Sequence, residues 1–179
     1  MDQDLREFVI RKAFPSEQDE VVDFYYNMID EPGEREYFPL WTKDVYPTRE
    51  AIKSAVRDGR MHLGLVDGRI ASSMVLGGND ETYKDFPWPA EADDDEVSVI
   101  HLLAVHGDFV RKGFAKRMVE YAADVSRKMG RKVIRLDVLN GNFPAENLYT
   151  SCGFIYAGSR EIFYEDTGLA EFHLYEMVL

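Results

Sequence analysis

Two short apolar segments joined by one amphipathic helix constrain the fold of this chain more than any other feature. Val97–Val105 and Lys132–Leu139 are rich in aliphatic and β-branched residues and too short for typical helices, which predicts two buried strands. Between them, apolar side chains recur at helical spacing from Phe114 to Met129, and Gly130 ends the pattern. A crossover helix returns the chain in its starting direction, so the two strands should be parallel.

The rest of the chain adds strands and helices around this pair. Apolar spacing predicts two helices after the capping residues Ser16 and Thr48, and a short helix that opens near Pro144. Asp67-Gly68-Arg69 between two apolar runs predicts an antiparallel hairpin, and a second hairpin ends the chain. The predicted strands are Glu7–Phe14, Met61–Val66, Ile70–Leu76, Val97–Val105, Lys132–Leu139, Phe154–Tyr164 and Glu171–Leu179. The element order is βααβββαβαββ, which predicts an α/β fold with one mixed sheet between helices.

Composition narrows the class of protein and its partners. A chain of 179 residues with 45% apolar residues can bury a core as one domain over residues 1–179, and its single cysteine, Cys152, forms no internal disulfide. The net charge of −12 repels phosphate backbones, so we expect no nucleic-acid partner and favour a cationic one, although such a charge can serve solubility alone. No apolar run approaches the roughly 20 residues that span a bilayer. We expect a cytoplasmic protein with no membrane role and, from the spacing of its four histidines, no metal.

The turn between the first parallel strand and its helix, Asp108–Lys116, is typical of an anion site. It places small residues at Gly113 and Ala115 and basic residues at Arg111, Lys112 and Lys116. Free N–H groups at a helix start bind phosphate well where no Cβ blocks the approach. The sequence therefore predicts a phosphate cradle here, with a structural glycine and ordinary surface bases as the alternative.

At this point the sequence resembles the GCN5-related N-acetyltransferase (GNAT) family. The resemblance is carried by Leu103-Ala104-Val105-His106, Asp108 to Ala115, Leu136-Asp137-Val138, Asn142, Ala145, Leu148-Tyr149 and Gly153-Phe154. The pyrophosphate loop of the family reads Gln or Arg, two residues, Gly, one residue, then Gly or Ala. Gly113 and Ala115 meet the last two positions, whereas Val110 stands at the first and the basic residue is displaced to Arg111. This departure affects one side-chain contact and leaves the backbone cradle intact.

The resemblance implies a centrally splayed GNAT-like sheet and acetyl-CoA as the cofactor. It implies that pantetheine lies beside the central strand and that the pyrophosphate lies at the loop. The cofactor contacts implied in this way are Leu103, Ala104, Val105, Val110, Arg111, Lys112, Gly113, Phe114, Ala115, Lys116, Asn142, Ala145 and Tyr149. Asn142 could instead be a plain helix cap.

Acetyl transfer to an amine needs a base for the ammonium and an acid for the departing thiolate. Tyr149 matches the family's tyrosine and is the predicted acid, with a core aromatic as the alternative role. His101 is the predicted base and is expected on the same strand face as Val99, Leu103 and Val105; a buried core histidine is the alternative. Glu96 and His173 are rival bases. Cys152 is expected to pack rather than react.

The resemblance also implies an acceptor pocket between the loop after the first helix and the terminal hairpin. The aromatic and histidine candidates are Tyr37, Phe38, Trp41, Tyr46, Phe163, Tyr164, His173 and Tyr175. Aromatic rings around a cleft can hold a cationic amine, although they can equally fill a core.

The sequence thus predicts an acetyl-CoA-dependent N-acetyltransferase that acts on a small amine by direct transfer in a ternary complex. The alternatives are a protein N-terminal or lysine acetyltransferase, and a non-catalytic acetyl-CoA-binding sensor. The edge of the terminal strands could pair with a second copy to form a homodimer.

Overall fold

The computed structural model describes residues 7–33 and 39–179 and confirms the predicted element order. The strands are β1 (Phe8–Lys12), β2 (Met61–Val66), β3 (Arg69–Gly77), β4 (Val97–Val105), β5 (Val133–Leu139), β6 (Ile155–Tyr164) and β7 (Gly168–Val178). The helices are α1 (Gln18–Asp30), α2 (Arg49–Arg57), α3 (Phe114–Lys128) and α4 (Phe143–Ser151). None of the helices in the described ranges is long and apolar enough to cross a membrane.

The seven strands form one mixed sheet in the order β1-β2-β3-β4-β5-β7-β6. The pair β4 and β5 is parallel, as the crossover helix α3 requires, and the other neighbouring pairs are antiparallel. The hairpin of β2 and β3 and the terminal hairpin of β6 and β7 are therefore confirmed.

Helices cover both faces of the sheet. On one, here named the α3 face, Met118 and Ala122 of α3 pack with Ile134 and Leu136 of β5. On the other, named the α1 face, α1 and α2 pack against β2 and β3, and a further apolar cluster around Tyr83 lies against β4, β5 and β7. Side chains alternate between the two faces along each strand, which decides where a given residue can act.

Helix starts and strand ends differ in places from the predicted ones. Ser16 does not cap a helix, because Pro15–Glu17 forms a 3₁₀ turn in which Glu17 accepts the backbone N–H of Phe14 at 2.6 Å, and α1 begins only at Gln18. Thr48 caps α2 as predicted, with its hydroxyl oxygen accepting the N–H of Ala51. The last strand begins at Gly168 rather than Glu171 because the hairpin already closes with Gly168 opposite Tyr164.

A β-bulge in β4 changes the predicted direction of its side chains. Ser73 and Val75 of β3 pair with Ala104 and His101, so β4 has one extra residue between those partners. Leu102 adopts φ +53° there, which is rare for a non-glycine residue, and its carbonyl oxygen accepts the hydroxyl of Tyr25 at 2.8 Å.

The predicted common face is therefore confirmed for His101 and Val99 and wrong for Leu103 and Val105. His101 stacks on Tyr83, which packs with Val99 on the α1 face. Beyond the bulge, Leu103 and Val105 pack on the α3 face. Strict alternation fails because a bulge adds one residue without a partner across the strand.

Candidate active site

The parallel pair separates partway along its length and opens a cleft. Strands β4 and β5 pair only at Val97–Val99 with Val133–Arg135, while β5 stays paired with β7 along its whole length. We name the gap beyond these pairs the fork. The cleft holds about 750 Å³ of empty space, part of it open to solvent. It is lined by Pro39, Leu40, Trp41, Tyr46, Ile100, His101, Leu102, Leu103, Asp137, Val138, Leu139, Asn142, Ala145, Tyr149, Tyr164, Asp166, Thr167 and Phe172.

The cleft passes through the sheet, because its lining residues come from both faces. Leu103, Ala145 and Tyr149 belong to the apolar cluster on the α3 face. His101 and Asp137 reach it from the α1 face, where both contact or lie near Tyr83. A molecule entering from the α3 face can therefore meet one entering from the α1 face inside the fork.

The loop before α3 has the geometry of a phosphate cradle. Arg111 and Gly113 both have positive φ, +62° and +77°, and Gly113 is the residue just before the helix. The amides from Arg111 to Ala115 donate to no backbone carbonyl within the described ranges, and the first turn holds no acidic residue. A Cβ built on Gly113 meets no atom within 4 Å, so the backbone at this residue faces open space. The donor set fits a pyrophosphate group.

The predicted basic residues of this loop are exposed around the cradle. The ammonium of Lys112 lies over the ring of Phe109 at 5.2 Å, and Lys116 lies 4.0 Å from Glu120 on the next helical turn. Such exposed pairs hold a side chain only weakly, so both cations can turn toward a bound anion.

Asn142 caps α4 and also lines the cleft. Its side-chain oxygen accepts the N–H of Ala145 at 3.2 Å, as the plain-cap interpretation requires. Its position in the cleft wall still leaves the remaining amide group available to a cofactor.

Tyr149 lies in the cleft wall with its ring against Phe154 at 5.5 Å. Burial raises the pKa of its hydroxyl, with the negative charge of Asp137 as a further cause. No described residue hydrogen-bonds this hydroxyl. The phenol is therefore protonated at neutral pH and free to donate a proton inside the cleft.

His101 is held at the fork by two contacts. Its Nε2 lies 3.2 Å from Oδ2 of Asp80, and its ring stacks on Tyr83 at 6.4 Å between centroids. The other oxygen of Asp80 accepts the N–H of Thr82 at 2.8 Å, which fixes the carboxylate. His101 and this hydrogen bond hold the pKa of Asp80 below its usual range, so Asp80 is an anion that orients the imidazole.

Two carboxylates in the cleft did not emerge from the sequence as site residues. Asp137 accepts the hydroxyls of Tyr83 at 2.7 Å and Tyr164 at 2.9 Å, and burial raises its pKa. Asp166, in the turn between β6 and β7, also lines the cleft. The feature that could have revealed Asp137 is an acidic residue within the apolar run Lys132–Leu139.

The other candidates fall in several places. Glu96 lies outside the cleft in a 3₁₀ turn before β4, with a carboxylate oxygen 2.6 Å from Lys132. His173 also lies outside it, 2.5 Å from Glu146 of α4, because it alternates with Phe172 and points to the α3 face. Tyr175 is buried on that same face, and Phe163 is 64% exposed.

The predicted aromatic wall is present in part. Trp41, Tyr46 and Tyr164 line the cleft, and the rings of Tyr46 and Tyr164 lie 5.3 Å apart. Tyr37 and Phe38 lie outside the described residues.

Comparison with protein families assigns the fold and cofactor. The family model described as Acetyltransferase (GNAT) family matches residues 20–154, most of the chain. This chain belongs to the GNAT family. Its cofactor is acetyl-CoA, and it is an acetyltransferase that acts on an acceptor substrate. Comparison with curated proteins found no match.

Solved structures share the fold at low sequence identity. A GNAT-family acetyltransferase from Streptococcus pneumoniae superposes with a TM-score of 0.71 at 18% identity, over 97% of this chain and 100% of that one. The putative acetyltransferase yncA from Salmonella typhimurium, solved with acetyl-CoA, has a TM-score of 0.70 at 13% identity, over 97% and 94%. A ribosomal-protein-alanine N-acetyltransferase from Brucella melitensis has a TM-score of 0.70 at 15% identity, over 96% and 99%.

Proposed function

We propose that this GNAT enzyme N-acetylates a small amine by direct transfer from acetyl-CoA in a ternary complex. The observation that carries the proposal is the cleft through the fork. Its α3 side includes Leu103 of β4, the strand that the cradle loop follows in the chain, and its α1 side presents a histidine, carboxylates and aromatic rings. When bound, acetyl-CoA supplies an activated acetyl thioester at the fork. The acidic and aromatic α1 side suits a cationic amine.

In this proposal each chemical role has a residue of the chain. His101 removes a proton from the acceptor ammonium, and the freed nitrogen forms a bond to the acetyl carbon. As the bond between that carbon and sulfur breaks, Tyr149 gives its proton to the sulfur. Leu102, whose backbone is irregular, lies in the cleft wall, and a main-chain N–H group there could donate to the oxyanion.

Protein acetylation at an N-terminus or lysine is the second candidate. It is favoured by the fold shared with the ribosomal-protein-alanine N-acetyltransferase and by Leu40, a cleft residue that is 59% exposed and could border a peptide groove. The aromatic wall of Trp41, Tyr46 and Tyr164 supports the small amine instead, because rings around a cleft can hold a cationic amine. A non-catalytic sensor would not need a free phenol at Tyr149.

The test is release of CoA thiol by the purified protein with small amines, amino acids, amino sugars and short peptides as acceptors. We expect release that depends on a small amine and falls by at least about 100-fold in His101→Gln, with acetyl-CoA affinity unchanged by calorimetry. Release with peptides alone would replace the small amine by a protein acceptor. Tight acetyl-CoA binding without release for any acceptor would favour the sensor.

A further inference from the structure

The α1 side of the cleft contains two carboxylates that form no ion pair with any described lysine or arginine. Asp137 lies at the fork and Asp166 at the tip of the terminal hairpin, and both line the cleft. Among the described residues, the cleft wall includes no lysine or arginine. His101 also lines the cleft, and its Nε2 is already directed at Asp80. The ionised form of a buried carboxylate needs a charged or hydrogen-bonding partner, so a positively charged group of a ligand would stabilise these two.

Asp137 has one oxygen bonded and the other free. The hydroxyls of Tyr83 and Tyr164 both donate to Oδ2, at 2.7 and 2.9 Å. No described residue bonds Oδ1. The two tyrosines therefore fix the carboxylate while leaving one oxygen to accept a donor in the fork, beside the predicted base His101.

Asp166 also has a carboxylate oxygen without a hydrogen-bond donor in the described part of the chain. Its Oδ1 is buried and accepts no hydrogen bond from the described residues, and burial raises the pKa of the carboxyl against the opposing effect of the backbone N–H groups of Asp166 and Thr167. A buried oxygen of a carboxylate without a donor is rare in native proteins, because its desolvation is uncompensated. A ligand donor in the cleft would supply the missing partner.

Aromatic rings lie near both carboxylates. Burial raises the pKa of Tyr46 and the charges of Asp137 and Asp166 raise it further; its ring lies 5.3 Å from that of Tyr164, whose hydroxyl donates to Asp137. The apolar parts of these rings suit a methylene chain, and their faces suit an ammonium. The α1 side of the cleft thus combines two carboxylates with the rings of two tyrosines.

Resting on the proposed function, we propose that the acceptor carries two positively charged amino groups, the reacting one held by Asp137 and the second held by Asp166. The substrate class is then a diamine or a longer polyamine. Asp166 is a specificity-determining residue, and Asp137 binds the group that reacts.

The experiment compares α,ω-diamines, from 1,3-diaminopropane to 1,6-diaminohexane, with the n-alkylamines of the same length. The full chain is used, with acetyl-CoA in excess. We expect at least one diamine to exceed its monoamine in kcat/KM by about tenfold or more, because a charged hydrogen bond to a buried carboxylate has that effect. Calorimetry with the CoA-saturated protein should show the same preference in binding.

Substitutions at the two carboxylates distinguish their proposed roles. Asp166→Asn should raise KM for the preferred diamine about tenfold and abolish its advantage, with kcat/KM for the monoamine unchanged. Asp137→Asn keeps an oxygen for both tyrosines and should lower kcat/KM for both amines. The matched control is Glu165→Gln, which removes the same charge from the adjacent exposed position and should leave the preference intact.

Equal kcat/KM for diamines and monoamines at every length would overturn this inference while leaving the proposed function standing. An equal effect of Asp166→Asn and Glu165→Gln would also overturn it, since it would reduce the role of Asp166 to general surface charge. Failure to acetylate any amine, with acetyl-CoA still bound and no diamine binding, would overturn both. Thermal unfolding of each variant must match the parent chain within a few degrees for the kinetic comparison to count.

Discussion

Replacement of Gly113 by alanine tests the phosphate cradle most directly. Gly113 has φ +77°, and a Cβ added there meets no protein atom within 4 Å. The folded chain therefore loses only the left-handed backbone preference, which lowers the free energy of unfolding by about 1–2 kcal/mol. Gly113 lies within the run of free amides from Arg111 to Ala115, so we expect the same methyl group to hinder the approach of a phosphate.

The expected effect on cofactor binding is larger than the effect on stability. A hydrogen bond from an amide to a charged phosphate contributes about 1.5–3 kcal/mol. Displacing the pyrophosphate so that one such bond is lost should weaken CoA binding by roughly 10- to 100-fold. Pantetheine lacks the pyrophosphate, so its affinity should not change.

The matched control is Gly130→Ala at the opposite end of α3. Gly130 has φ +74°, and a Cβ there also meets nothing within 4 Å, so the backbone penalty is the same. Isothermal titration of CoA and pantetheine into both variants measures cofactor binding, and urea unfolding measures stability. Together they distinguish an effect on the phosphate cradle from an effect on the helix. We expect equal losses of stability and a loss of CoA affinity in Gly113→Ala alone.

Equal CoA affinity in the two variants would refute the cradle. A parallel loss of pantetheine affinity in Gly113→Ala would also contradict it, because the defect would then not concern the pyrophosphate.

Three further predictions concern the acid, a buried histidine and a buried ion pair. Tyr149→Phe should lower kcat by about 100-fold or more, because the departing thiolate loses its proton donor, while calorimetry shows unchanged acetyl-CoA affinity; an unaltered kcat would remove Tyr149 from the mechanism. Burial lowers the pKa of His62 from 6.5 to about 4, so only the unfolded chain takes up its proton between these values. Stability from this source is complete above pH 6.5 and should fall by up to about 3 kcal/mol toward pH 4, and urea unfolding across that range should show the loss reduced in His62→Gln. Arg135→Met should lower the free energy of unfolding by about 3–5 kcal/mol, because it leaves Glu176, which is 0% exposed, without its partner at 2.9 Å; adding Glu176→Leu should restore much of the loss in thermal or urea unfolding.

Structural features that depend on interactions between near neighbours in the chain were predictable from the sequence. Helical spacing, Thr48 as a cap and Gly130 as a stop act within a few residues, so the order of elements and the parallel pair were confirmed. The position of Gly113 just before α3 followed in the same way, because a helix start and its glycine are neighbours in the chain, while its role as a phosphate cradle stays a prediction. The single domain, the cytoplasmic location and the homodimer stay predictions.

The α1 side of the cleft depended on the tertiary structure. Asp137 and Asp166 are far apart in the chain and line one cleft only because the fork and the terminal hairpin bring them together, and Asp80 contacts the cleft residue His101. The hydrogen bonds of Asp137 come from tyrosines on other elements, which no spacing rule connects.

The sequence by itself determined which elements form and how the parallel pair is joined, because these depend on interactions between near neighbours; the phosphate site at Gly113 stays a prediction. Only the tertiary structure decided that β4 is bulged at Leu102, that His101 and His173 face opposite sides of the sheet, and that Asp137 has an oxygen at the fork that no described residue bonds. A bulge reverses the alternation on which such assignments depend, and the partners of a buried carboxylate are set by packing between distant segments.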